Sequence, residues 1–176
     1  MLKKAVLVLA LLSGVSFAAE MTDEKDMITF VCTGNTGRSV MAEYLANYTY
    51  AFPTHGYEVQ SRGVKVDPQE TSPEKNAEKV MSNDFVNIAG HKATQIDEND
   101  IDDSVLVLTM TDSHRDALED KYPNAKNIHT LSECATGKTV DVLDAYGQDE
   151  PFYLKTREQI QGYLELIVKN DMKCVG

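Results

Sequence analysis

Phe30-Val31-Cys32-Thr33-Gly34-Asn35-Thr36-Gly37-Arg38-Ser39 joins an apolar run to a helical pattern. The run, Met27-Ile28-Thr29-Phe30-Val31, ends on a cysteine, and Val40-Met41-Ala42-Glu43-Tyr44-Leu45-Ala46 follows as a helix. The order is strand, loop, helix, with a thiol at one end of the loop and a guanidinium at the other. A loop that feeds a helix N-terminus aims several backbone N–H groups into one concavity and adds the positive end of the helix dipole. Such a cradle suits phosphate or another tetrahedral oxyanion. Gly34 and Gly37 permit backbone angles that other residues resist, and Asn35 tolerates the left-handed region and can bond the backbone. Arg38 can fork onto two anion oxygens. A cysteine in that field loses its proton readily, and a thiolate beneath a bound phosphoryl group is set for in-line attack. The competing reading is a buried cysteine at a strand end and a surface arginine. The placement of the five-residue spacer between strand and helix argues against it.

Further elements alternate along the chain. We expect a strand over 27–31, a helix from Arg38 to about Ala51 with Met41, Leu45 and Tyr48 on one face, and a short strand at Tyr57–Ser61. A loop from Gly63 to Pro73 leads to a helix over about 73–83, started by Pro73. A short helix at 97–101, a strand at 104–109 and a helix at 112–121 capped by Thr111 or Asp112 come next. A short strand at 127–130, an Asp-bearing loop over 137–147 and a terminal helix over about 152–169 complete the chain. In that helix Tyr153, Ile160, Leu164 and Ile167 fall at helical spacing. Alternating strands and helices predict an α/β domain, a three-layer α-β-α arrangement around a four-stranded parallel sheet. Ligands in such sheets sit at the carboxyl ends of the strands, where Cys32 stands.

The chain of 176 residues is long enough for one domain with a core, and its 42% hydrophobic and 26% charged content is ordinary for a globular protein. A net charge of -11 argues against general nucleic-acid binding and against adhesion to anionic membranes. Residues 1–18 read as a secretory signal peptide: Lys3 and Lys4, the apolar run Ala5–Leu12, and small residues at Ser16 and Ala18 before the cut. Residues 19–26 are an acidic leader, and 27–176 form a single domain. The mature form is expected to be periplasmic or secreted, with no membrane span. Its three cysteines are Cys32, Cys134 and Cys174. In an oxidising compartment the last two can pair and leave Cys32 free, or both can remain thiols; the sequence leaves this open. No Cys/His cluster has zinc spacing, and we expect no metal.

The loop resembles the active-site loop of the low-molecular-weight protein tyrosine phosphatases, with the pattern Val-Cys-x-Gly-Asn-x-Cys-Arg-Ser-Pro-x-Ala-Glu. Val31 to Glu43 matches it except at Gly37, where the family has a second cysteine, and Val40, where it has proline. The resemblance runs from Met27 to Lys169 and is strongest in the loop. It implies hydrolysis through a phosphocysteine intermediate without a metal or organic cofactor. Cys32 attacks, while Arg38 and the loop residues Thr33, Gly34, Asn35, Thr36, Gly37 and Ser39 hold the phosphate. The family's acid lies in Asp-Pro-Tyr or Asp-Pro-Phe; here Asp141-Val142-Leu143-Asp144-Ala145-Tyr146 offers Asp144, with Tyr146 beside it and Ala145 for the proline, a change that removes a φ restriction. Asp141 is the alternative acid. His91 and Ser61 resemble residues that brace the loop Asn and Ser, and Ser39 stands where it can donate to the Cys32 thiolate.

The implied substrate is a phosphorylated protein or a small aryl phosphate. Phosphotyrosine is the first reading, since Tyr146 suits an aromatic group. A phosphoarginine-specific branch carries threonine where Thr33 stands, and that is the second. Arsenate reductases of the thioredoxin-linked kind share the loop but need further cysteines around residues 80–95, where this chain has none. A phosphate-binding module without turnover is the alternative outside enzymes. Nothing in the sequence gives the oligomeric state.

Overall fold

A computed structural model describes residues 25–174. The stretch read as a signal peptide and most of the acidic leader lie outside these residues. Four strands form one sheet: β1 (Asp26–Cys32), β2 (Tyr57–Gly63), β3 (Ser104–Thr109) and β4 (Ile128–Thr130), in the order β2-β1-β3-β4 with every pair parallel. Asp26, placed in the leader by sequence, is the first residue of β1 and pairs with Tyr57. Among the described residues, six helices connect and cover the strands: α1 (Arg38–Tyr48), α2 (Lys75–Ser82), α3 (Glu98–Asp102), α4 (Asp112–Lys121), α5 (Leu131–Thr136) and α6 (Glu150–Lys169).

The apolar run of β1 is explained by burial on both faces, as parallel sheets require. Ile28, Phe30 and Cys32 enter the larger core with Met41, Leu45, Val80, Ile160 and Leu164 from α1, α2 and α6. Val31 faces the other layer and packs with Ile101, Val107, Leu118 and Ile128, beneath α3 and α4. Tyr153, Ile160, Leu164 and Ile167 are all buried on α6. The expected three-layer α-β-α architecture is therefore the observed one.

Element ends differ from expectation for local reasons. Helix α1 stops at Tyr48 rather than Ala51, because Ala51 takes a left-handed conformation (φ 51°) and the chain turns into a short 3-10 segment, Phe52–His55, that buries Phe52. Tyr48 is 71% exposed, so it does not belong to the buried face assigned to it. Helix α2 begins at Lys75 because Glu74 is held extended, its N–H donating to the Thr36 carbonyl at 3.0 Å. Helix α6 starts two residues earlier than expected, with Asp149 accepting the Phe152 N–H and Pro151 in the first turn. Helix α5 was not anticipated; Thr130 and Glu133 form a reciprocal capping box that starts it, and Gly137 (φ 71°) ends it.

Strand β1 lies between β2 and β3, so consecutive connections leave it in opposite directions and open a crevice at its carboxyl end. The last pair of the β1–β2 ladder sets Cys32 beside Gly63. A Cβ at Gly63 would lie 2.7 Å from the Thr33 carbonyl oxygen and 2.7 Å from Val66 Cγ2. Only glycine lets β2 approach that closely, and the following N–H groups then bond the loop: Val64 to the Cys32 carbonyl and Lys65 to that of Thr33, both at 2.9 Å.

Candidate active site

The loop between β1 and α1 curls around the start of α1, as the strand-loop-helix reading requires. Its one left-handed residue is Asn35 (φ 56°); Gly34 and Gly37 are not in that region, contrary to the role expected of them. A Cβ at Gly37 would lie 2.8 Å from Glu74 Oε1, the far end of a flexible side chain that can turn aside, so the position also admits a small side chain. Asn35 pays for its conformation through its side chain, which is fully buried and fully bonded. Its Nδ2 donates to Ser39 Oγ at 3.0 Å and Ser61 Oγ at 2.8 Å. Its Oδ1 accepts from the Thr94 N–H at 2.8 Å and lies 3.2 Å from His91 Nε2. His91 and Ser61 thus both bond the loop asparagine.

Behind them sits Glu43, quoted in the sequence pattern but given no role there. Its Oε2 accepts the Ser61 hydroxyl at 2.5 Å and lies 3.7 Å from His91 Nδ1. Burial pushes the Glu43 carboxyl up, against the opposing pull of the Ser61 hydrogen bond and of Arg62. Burial also lowers His91. With Nε2 donating to Asn35, His91 is the neutral Nε2–H tautomer. The network ends at the thiol: Ser39 Oγ is 3.0 Å from Cys32 Sγ and 3.3 Å from the Arg62 carbonyl. Its single proton has two acceptors, and an ionised sulfur is the stronger one.

Cys32 is nearly buried at the floor of a cavity of about 310 Å³. Thr33, Gly34, Thr36, Gly37, Arg38 and Met41 form its inner wall, and Tyr146, Ala145 and Tyr153 its apolar side. Across it, Arg38 Nη2 meets Asp144 Oδ2 at 3.0 Å. Asp144 is 61% exposed, and its other oxygen accepts the Tyr146 N–H at 3.2 Å. Asp141, the alternative acid, is engaged elsewhere: its Oδ1 accepts the Asp112 N–H at 2.8 Å, at the start of α4. The loop bearing Asp144 is fastened without the proline that Ala145 replaces. Val142 N–H donates to the Met110 carbonyl, Leu143 N–H to Gln159 Oε1 and Gln148 N–H to the Ala145 carbonyl, each at 2.9 Å. Ala145 itself is buried.

Two more residues join the site without having been singled out. Glu74 lines the cavity and accepts the Thr36 hydroxyl at 3.1 Å. Burial raises its carboxyl, with the Thr36 hydrogen bond opposing. His114 is buried at the start of α4, its Nε2 2.8 Å from Thr33 Oγ1 and its Nδ1 2.8 Å from Thr111 Oγ1. Burial and, next, the nearby Arg38 guanidinium lower its pKa to about 4, so the ring is neutral near pH 7. Among the described residues, no group of three or more His, Cys, Asp or Glu side chains is arranged to hold a metal ion.

The family model described as low molecular weight phosphotyrosine protein phosphatase matches residues 27–172. The chain belongs to this family. It is 38% identical over 134 residues to the low molecular weight protein-tyrosine-phosphatase PtpB of Staphylococcus haemolyticus, covering 76% of this chain and 91% of that one. It is 32% identical over 144 residues to the protein-arginine-phosphatase of Geobacillus stearothermophilus, covering 81% of this chain and 93% of that one. Its fold superposes on a YwlE mutant from Bacillus subtilis with a TM-score of 0.79 at 29% identity, covering 85% of this chain and all of the other. Membership gives the loop, the asparagine brace and the Asp144 segment one common context. Relatives that bear tyrosine and arginine phosphatase names both align along most of this phosphatase-family chain.

Proposed function

We propose that this protein hydrolyses phosphotyrosine in protein substrates through a phosphocysteine formed on Cys32. The observation that carries the reading is the convergence of the Cys32 thiol, the Arg38 guanidinium and the Asp144 carboxylate on one cavity. In the first step Cys32 Sγ attacks phosphorus while Arg38 and the loop N–H groups hold the non-bridging oxygens. Asp144 gives its proton to the leaving phenolic oxygen. In the second step Asp144 takes a proton from water, the water oxygen bonds to phosphorus, and the P–S electron pair returns to Cys32. Tyr146, exposed at the rim with its hydroxyl donating to Glu70 at 3.0 Å, offers a face for the substrate ring.

Phosphoarginine is the second reading, favoured by Thr33 beside the nucleophile and by relatives named as arginine phosphatases. Purified mature protein is expected to hydrolyse an aryl phosphate, with Cys32→Ser abolishing turnover and Asp144→Asn slowing it by about 10²- to 10⁴-fold. Hydrolysis that survives Cys32→Ser contradicts the mechanism, and tight phosphate binding without turnover supports a binding module instead. Phosphotyrosine and phosphoarginine peptides assayed side by side, with Thr33→Ile as the switch, decide the substrate.

Export through residues 1–18 completes the reading. Its support is the basic, apolar and small-residue pattern of that stretch, together with a Cys134–Cys174 disulfide suited to an oxidising compartment. Sequencing the N-terminus of the protein recovered outside the cytoplasm tests it; a start at Ala19 is expected, and an intact Met1 in the cytoplasm contradicts it.

A further inference from the structure

His114 is a buried ring that the proposed mechanism leaves unused. It sits at the N-terminal end of α4, directly after β3, so it faces the Cys32 loop across the crevice between β1 and β3. Four polar groups form a continuous line there: Thr33 Oγ1, His114 Nε2 at 2.8 Å, then from Nδ1 to Thr111 Oγ1 at 2.8 Å, then Ser113 Oγ at 2.9 Å. Thr33 is exposed on the cavity wall beside Cys32, and Ser113 is at the surface.

Proton accounting narrows what this line can do. Thr111 Oγ1 already accepts the backbone N–H of His114 at 3.2 Å, as the N-cap of α4. A neutral imidazole has one N–H and one bare nitrogen. If Nδ1 carries the proton, it fills the second lone pair of Thr111, whose hydroxyl then donates to Ser113. Nε2 is left bare, and the Thr33 hydroxyl donates to it. If Nε2 carries the proton, every bond reverses and the Thr33 hydroxyl is free to aim its proton into the cavity. Both arrangements satisfy all four groups, and they differ at the cavity only in what Thr33 presents.

The hydrolytic water supplies the choice. It must lose one proton to Asp144, and its other hydrogen needs an acceptor to aim the oxygen lone pair at phosphorus. Arg38 and the loop N–H groups are donors and cannot serve; the acceptors on the cavity wall are the Thr36–Glu74 pair, already bonded to each other, and Thr33 Oγ1, whose lone pairs depend on His114. We propose that His114 is a positioning residue for this step: Nε2 takes the hydrogen bond of the Thr33 hydroxyl, so that Thr33 Oγ1 turns a lone pair to the cavity and orients the water that cleaves the phosphocysteine. The water oxygen bonds to phosphorus and the P–S bond breaks with its electron pair returning to Cys32. One water proton goes to Asp144, and the other, held by Thr33, stays on the product phosphate. The first step, attack by Cys32, needs nothing from His114. The inference rests on the phosphocysteine reading above.

Two conservative substitutions separate this role from a structural one. In His114→Asn the amide reaches the position of Nδ1 and bonds Thr111 but falls short of Thr33; in His114→Gln it reaches the position of Nε2. With p-nitrophenyl phosphate, His114→Asn is expected to lower kcat about tenfold, the size expected for one lost hydrogen bond in the transition state. KM falls in parallel, kcat/KM stays within about twofold, and a burst of nitrophenol precedes steady turnover. Thr33→Val, at an exposed position that does not threaten folding, gives the same pattern, and the double variant is no slower than either single one. His114→Gln turns over close to wild type. A fall in kcat/KM as large as that in kcat, losses that multiply in the double variant, or full turnover by His114→Asn would each overturn the proposal. Hydrolysis by Cys32→Ser would instead overturn the phosphocysteine reading beneath it, so the two failures are distinct.

Discussion

Gly37 leaves Cys32 without a neighbouring thiol, and the other two cysteines are bonded to each other. Relatives with a cysteine at that position can guard the nucleophile as a disulfide; here a sulfenic acid on Cys32 has no protein thiol to trap it and proceeds to sulfinic acid, which thiols do not reverse. We expect peroxide to inactivate the enzyme with poor recovery on adding thiol; full and rapid recovery would show that a sulfenamide or another group guards Cys32. Cys32, Asn35, Arg38 and Ser39 were legible in the sequence because one loop holds them all, and spacing between strand and helix carries the meaning. Glu74 and His114 were not, because their partners lie 38 and 81 residues away and folding alone brings them together. Glu43 stood within the quoted pattern, but a carboxylate on a helix reads as solvated until the helix face is known.

At the scale of elements, the site is the meeting of four pieces: the β1–α1 loop, the end of β2, the start of α4 and the loop before α6. The α4 start brings a titration with it. His114 has a pKa of about 4 in the folded chain against an ordinary 6.5. Between those values the unfolded chain binds a proton that the folded chain refuses, so the stability is fully present above pH 6.5 and is lost as pH falls toward 4. The loss from this group amounts to at most about 3 kcal/mol, and His91, lowered by burial, acts in the same direction. Denaturant unfolding at stepped pH should therefore show wild type weakening across this window more than His114→Gln does. Parallel slopes for the two proteins would contradict the burial of a neutral ring there. The strands and long helices of this frame were readable from apolar runs, whereas α5 was missed although Thr130 and Glu133 spell a capping box, since six residues leave little periodicity to see.

For the whole molecule, α/β alternation dictated the parallel sheet, and its strand order puts the crevice over Cys32. The chain's ends were less legible, because two cysteines in sequence do not declare their pairing. In the structure Cys134 of α5 is bonded to Cys174, beyond α6, across a separation of 40 residues, so the alternative of two free thiols does not hold. A loop of that length restricts the unfolded chain by about 3–4 kcal/mol in the chain-entropy description. Cys174→Ser should lower unfolding free energy by that order while leaving kcat/KM unchanged, since neither cysteine lines the catalytic cavity; equal stability of the two proteins would contradict the staple. The central claim, chemistry through phosphocysteine on Cys32, has a direct measurement. Wild-type enzyme is acid-quenched during steady turnover of an aryl phosphate, and its peptides are read by mass spectrometry. The account predicts one phosphoryl group on the peptide holding Cys32, bonded to sulfur and absent from Cys32→Ala; a phosphoryl group on another residue of the wild-type enzyme, or turnover that persists in Cys32→Ala, would contradict it.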